Sequence, residues 1–184
     1  MKKRNTRSNV RERISPALHA VPGERQRGII LFGTHHCACA LGPAGTVTRK
    51  REGDGATPAG RWKMLNILYR ADRISRPITS LPVRALRRDD GWCDAPEDPN
   101  YNRLVAMPYA KSVETMWRDD HIYDLMVILD HNTSPRIRGG GSAIFIHQAR
   151  DGYTPTQGCI ALNIHDLRML LEASGPGSVL TVYP

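Results

Sequence analysis

The sequence predicts a mainly β, sandwich-like domain with one C-terminal helix, and three observations carry that prediction. Glycine (16) and proline (13) are plentiful in 184 residues while aromatics are sparse, a mixture that favours many turns. The apolar residues fall in short runs of strand length, bounded by turn residues. A helix signal stands near the C-terminus, where Asn163 is followed three residues later by Asp166 in the manner of a capping box.

The elements follow in chain order. Residues 1–24 are expected to form a basic, solvated tail and residues 25–184 the folded domain, since Lys2, Lys3, Arg4, Arg7, Arg11 and Arg13 face the single acid Glu12. After a turn signal at Val21–Gly23, Gly28–Phe32 and His35–Leu41 read as two strands of a hairpin joined at Gly33-Thr34. A third strand is expected over Gly45–Lys50, then a loop over Arg51–Gly60, rich in Gly, Asp and Pro, and a strand over Arg61–Tyr69. Ser75–Asn102 holds Pro77, Pro82, Pro96 and Pro99 and few periodic apolar positions; it is expected to run irregularly over the surface as a wall or lid. Tyr123–Asp130 is apolar on both faces and reads as a central strand, with Ser142–His147 as its neighbour. Pro135 and Gly139-Gly140-Gly141 mark the connection between them. The helix presents Leu167, Leu170 and Leu171 on one face, Gly175-Pro176-Gly177 stops it, and Val179–Tyr183 is a final strand.

The net charge of +8 and pI near 9.7 imply attraction to polyanions without choosing among nucleic acid, anionic lipid and carboxylate-rich wall peptides. No run approaches the roughly 18 consecutive apolar residues of a membrane-spanning helix, so a soluble protein is expected. No apolar core of a secretory signal follows the positive residues before Pro22. The cysteines at 37, 39, 93 and 159 are too few and too irregularly spaced for a disulfide framework, and free thiols are expected.

The informative segment is Ile144–Asn163, IFIHQARDGYTPTQGCIALN. A thiol is a strong nucleophile only as thiolate, so a catalytic cysteine needs a base and a nearby backbone dipole. Cys159 follows Gly158, which allows a tight turn and whose peptide N–H, with that of Cys159, could bind a developing oxyanion. His147, at the end of an apolar strand, supplies an imidazole suited to proton shuttling. By residue chemistry alone, a cysteine beside glycine equally suits a packing position in a core.

A strand ending in His, a short loop and then Thr156-Gln157-Gly158-Cys159-Ile160 resembles the signature of the L,D-transpeptidase family. Upstream, KREGDGATPAGRW, Lys50 to Trp62, is similar to the family's Glu-Gly-Asp…Thr-Pro-x-Gly element, and the two motifs stand in the family's order. The resemblance implies a β-sandwich-like catalytic domain that acts on peptidoglycan stem peptides, with Cys159 as nucleophile, His147 as its base, oriented by a backbone carbonyl near the cysteine loop, and Gly158 contributing to the oxyanion hole. It implies no cofactor, metal or nucleic-acid partner, a monomer, and work in the periplasm or cell envelope, with the cytoplasm as the alternative. Three positions depart from the family pattern: Gln157 replaces a histidine, the His147–Cys159 interval is short, and Ala161 stands where a polar residue is usual. Thr156 and Gln157 are candidates for binding substrate, and Arg150, Arg138, Arg136 and Arg103 are the candidates for holding donor carboxylates.

Two other readings of function stay open in the sequence. Water could resolve the same acyl-enzyme, giving an L,D-carboxypeptidase or endopeptidase, or the fold could serve as a non-catalytic, basic binding module. His35-His36-Cys37-x-Cys39 has metal-ligand residue types but lacks a second cluster, and alternation on a strand explains it better. The glycines at 53, 55 and 60 lack the Lys-Ser/Thr of a phosphate loop.

Overall fold

Alternation of apolar side chains sets the wall of the domain. Along β2 (Glu24–Phe32), Ile30 and Phe32 are buried and Ile29 is not; along β3 (His35–Ala40), Cys37 and Cys39 point inward while His35 and His36 stay exposed. The computed structural model describes residues 15–184, so the basic cluster before Ser15 lies outside the described residues. The remaining elements are β1 (Ala17–Val21), β4 (Thr46–Val47), β5 (Thr57–Pro58), β6 (Gly60–Tyr69), β7 (Val83–Ala85), β8 (Asp90–Cys93), β9 (Arg103–Ala106), β10 (Val113–Thr115), β11 (Leu125–Leu129), β12 (Phe145–Gln148), β13 (Ile160–Leu162), α1 (Ile164–Ala173) and β14 (Val179–Val182).

The main sheet has nine strands in the order β11-β12-β13-β3-β2-β1-β14-β6-β7, and a further pairing of β11 with β6 closes it on itself. The ten residues of β6 make the closure possible: Gly60–Lys63 pair with β14, while Met64–Tyr69 pair with β11. The fold is therefore mainly β, with one helix near the C-terminus, as expected. β1 falls within the segment expected as tail, yet it pairs with β2 and, in parallel, with β14; the ordered domain thus begins before residue 25.

β11 is buried on both faces and divides two apolar cores. Leu125, Val127 and Leu129 join the enclosed core with Ile30, Cys37, Ile146, Ile160 and the helix residues Leu167, Leu170 and Leu171. Met126 and Ile128 face the second core with Trp92, Met116, Tyr123, Phe145 and Cys159. Helix α1 begins as the capping signal predicts, with Asn163 Oδ1 accepting the Asp166 N–H at 2.9 Å.

The second core is covered by a three-stranded sheet, β10-β8-β9. This corrects the expectation of irregular structure over Ser75–Asn102, which contains β7 and β8 and buries Trp92, Cys93, Ala95, Tyr101 and Asn102. Strands of three or four residues show no alternation to read; packing from distant segments stabilises them. The strand expected over Gly45–Lys50 is likewise reduced to β4, paired with β5. All four cysteines are free, and among the described residues no helix is long and apolar enough to cross a membrane.

Candidate active site

β12 and β13 are parallel neighbours in the register Ile146↔Ile160 and His147↔Ala161. Paired residues of a ladder share a face. Ile146 and Ile160 therefore point into the enclosed core, and the neighbouring positions Phe145, His147, Cys159 and Ala161 turn to the opposite side. There Cys159 and His147 line one cleft of about 470 Å³ between the main sheet and the three-stranded sheet. Ala161, directly beside His147, adds only a methyl group to this face.

The loop before β13 is tied by its own side chains. Thr156 Oγ1 accepts the Gly158 N–H at 3.1 Å and donates to the Cys159 carbonyl at 2.7 Å, while the Thr156 N–H donates to Leu41 O at 3.0 Å. Gly158 has φ +125°, and a Cβ there would lie 2.6 Å from the Ala56 carbonyl oxygen. Two motifs far apart in sequence thus meet backbone to backbone at this glycine. Lys50, with a side chain only 5% exposed, pairs with Asp54 and has its Nζ 3.5 Å from the place of that Cβ. Because the Gly158 N–H is already committed to Thr156, the oxyanion donor expected at Gly158 is engaged within its own loop.

The Cys159 thiol donates to Ala143 O at 3.0 Å, and the Phe145 N–H donates to Sγ at 3.4 Å. Burial, and then the Glu114 carboxylate, push the thiol pKa up; the Phe145 N–H and Lys50 act in the opposite sense. The resting sulfur is therefore a neutral thiol. His147 Nδ1 lies 2.9 Å from Gln148 O, and the Tyr123 ring meets the imidazole edge-on at 5.3 Å. In the tautomer that donates from Nδ1 to this carbonyl, Nε2 is left with the lone pair of a base. Burial lowers the His147 pKa to about 4, so it is neutral near pH 7. Between about 4 and the ordinary 6.5 the unfolded chain binds the extra proton; stability rises with pH across that window, by roughly 3 kcal/mol.

Both signs of charge line the cleft. Its acids are Glu52, Asp94 and Glu114, with Tyr101 donating to Glu52 and Tyr123 to Glu114. Its arginines, Arg118 and Arg150, share Asp120, at 2.7 and 2.6 Å. Among the described residues, no group of three or more His, Cys, Asp or Glu side chains could hold a metal ion.

Residues 24–182 match the YkuD family, described as the L,D-transpeptidase catalytic domain. The chain belongs to the L,D-transpeptidase catalytic-domain family. No match is found among curated proteins or among solved structures.

Within this L,D-transpeptidase domain the residues chosen from sequence separate into two groups. Cys159, His147, Thr156, Gln157 and Arg150 line the cleft, with Gln157 exposed, and Gly158 stands beside Cys159. Arg103 and Arg136 instead line a separate, mainly apolar groove with Leu65, Leu68 and Leu104, and Arg138 is exposed and lines neither. Residue type alone points these three to the cleft; strand β9 carries Arg103 to the other groove, and none of the three lines the cleft. Arg118, Glu114, Asp94, Glu52 and Tyr123 also line the cleft: Glu52 lies in the upstream KREGDGATPAGRW motif, and the other four come from two stretches that carry no motif. The carbonyl beside His147 is that of Gln148, its own neighbour, and not one from the cysteine loop.

Proposed function

We propose that the protein is a peptidoglycan L,D-transpeptidase acting through a Cys159 thioester. The observation that carries this reading is the joint opening of Cys159 and His147 into one cleft. His147 Nε2 takes the thiol proton as Sγ bonds to the carbonyl of the donor stem residue, and the C–N bond to the terminal D-amino acid breaks. The leaving amine departs with that proton. An acceptor amine then attacks the thioester, a new amide forms, and the sulfur recovers its proton. No ATP is needed, because the thioester keeps the energy of the broken amide. Both partners rest in neutral form, so proton transfer accompanies attack rather than preceding it. The lining carboxylates suit the ammonium of an acceptor, and Arg118 and Arg150 suit the carboxylates of a donor.

The test is mass spectrometry of products from purified protein and disaccharide tetrapeptide. Cross-linked dimers that have lost the terminal D-alanine are expected, and tripeptide alone would mean that water is the acceptor. Fractionation of cells is expected to place the protein in the envelope; a wholly cytosolic pool would redirect the substrate to soluble precursors.

Two further results are expected. A carbapenem presents a strained acyl carbon to the same sulfur, so intact mass and peptide mapping are expected to find one adduct, on Cys159. Cys37, Cys39 and Cys93 are buried outside the cleft and should stay unmodified. An adduct on one of these three with Cys159 untouched would identify a different nucleophile. The acylation rate should also hold its plateau down to about pH 5 and fall with a midpoint near 4, where His147 gains its proton. A midpoint at 6.5 would mean that the base is solvated.

A further inference from the structure

Asn102 sits where β8 meets β9, buried beneath the small sheet, with the positive φ of +56° that asparagine tolerates. Its amide uses its full capacity. Oδ1 accepts from the Trp92 indole N–H at 2.9 Å and from the Ala143 N–H at 3.1 Å. Nδ2 donates to the carbonyls of His131 and Asn132 at 3.0 and 2.9 Å. Ala143, which has a Cβ, is itself held at φ +53°, and its carbonyl is the group that receives the Cys159 thiol proton at 3.0 Å. A residue with a Cβ leaves that conformation unless something holds it, and here the Ala143 N–H is held by Asn102.

We propose that Asn102 is a positioning residue for the nucleophile: by holding the Ala143 N–H it fixes the backbone conformation of Ala143 and with it the carbonyl that keeps the Cys159 thiol protonated and aimed. The inference rests on the reading of Cys159 as nucleophile and adds the device that sets its resting state. Once that carbonyl turns away, the Phe145 N–H remains beside the sulfur and favours the thiolate.

The test uses Asn102→Gly, which keeps the backbone preference and removes all four side-chain bonds. Alkylation of Cys159 by iodoacetamide at pH 7 is expected to quicken about tenfold, with its pH midpoint lowered by about one unit. Turnover of the peptide is expected to fall about tenfold in kcat at unchanged KM, because the sulfur is no longer aimed. General loosening would instead expose Cys93, whose carbonyl accepts the Asn102 N–H at 2.8 Å, so labelling of Cys93 overturns the proposal. So does a Cys159 alkylation profile identical to wild type in the folded variant. If Asn102→Gly is not recovered folded, Trp92→Phe, which removes one donor to Oδ1, carries the test alone, with smaller shifts of the same sign; no shift overturns the proposal. Alkylation needs no peptide, so its result stands apart from whether the chain proves to be a transpeptidase.

Discussion

Cys159→Ala and His147→Ala are each expected to reduce turnover to background, a loss on the order of 10³-fold or more, with the fold retained. The two side chains lie on neighbouring strands and open into the same cleft, and neither has a second chemical task in the proposed reaction. Sulfur without the imidazole has no acceptor for its proton, and the imidazole without sulfur has nothing to deprotonate. The double variant should therefore be no worse than either single one, the mark of two groups that act as a unit. Removing His147 takes away its contact with Gln148 O and its packing on Tyr123, so a lowering of stability by about 1–3 kcal/mol is expected there. Turnover near wild type in either single variant would remove the pair from the chemistry.

Gly158→Ala is expected to be almost as damaging although it adds one methyl group. The new Cβ would lie 2.6 Å from the Ala56 carbonyl oxygen, and the φ of +125° strains any residue with a side chain. Ala56 cannot easily retreat, because its N–H donates to Asp54 at 2.9 Å and Asp54 is paired with Lys50. The cysteine loop must move instead, and a displacement of about 1 Å at a nucleophile costs about 10²-fold in rate. Thermal melting should show a loss of about 2–4 kcal/mol. Gly139→Ala supplies the comparison: its φ is +72°, but no atom lies within 4 Å of the added carbon, so strain alone should appear, roughly 1–2 kcal/mol. Equal effects of the two substitutions would show that the meeting of the two loops is not what requires glycine at 158.

Much of the main sheet was legible in the sequence because its strands are long enough to alternate. Ile30 and Phe32 announce β2, and the two apolar faces of Leu125–Leu129 announce a strand between two cores. The thiol and imidazole were legible because both fall in one contiguous segment. The small sheet was not, since β8, β9 and β10 span three or four residues each and owe their order to Trp92 and its distant partners. Tyr101 and Asn102, at the end of the stretch expected as a wall or lid, are buried and turned to Glu52 and to backbone amides. The charges of the cleft escaped notice for the same reason: Glu52, Asp94 and Glu114 converge only after folding, while the arginines at 103 and 136 were drawn by tertiary packing to another groove.

The parallel pairing of β1 with β14 sets Ala17 opposite Thr181, so the two ends of the described chain zip together as the ring is completed. Such a contact spans nearly the whole sequence, and the entropy of bringing its partners together is spent before the contact rewards it. Ring completion is accordingly a late event in folding. A nascent polypeptide whose β14 still lies within the ribosome has open flanks on both β1 and β6, and it stays threadable for as long as that lasts. Deleting β14 should leave a species that collapses but binds other chains along those flanks, instead of a smaller stable domain.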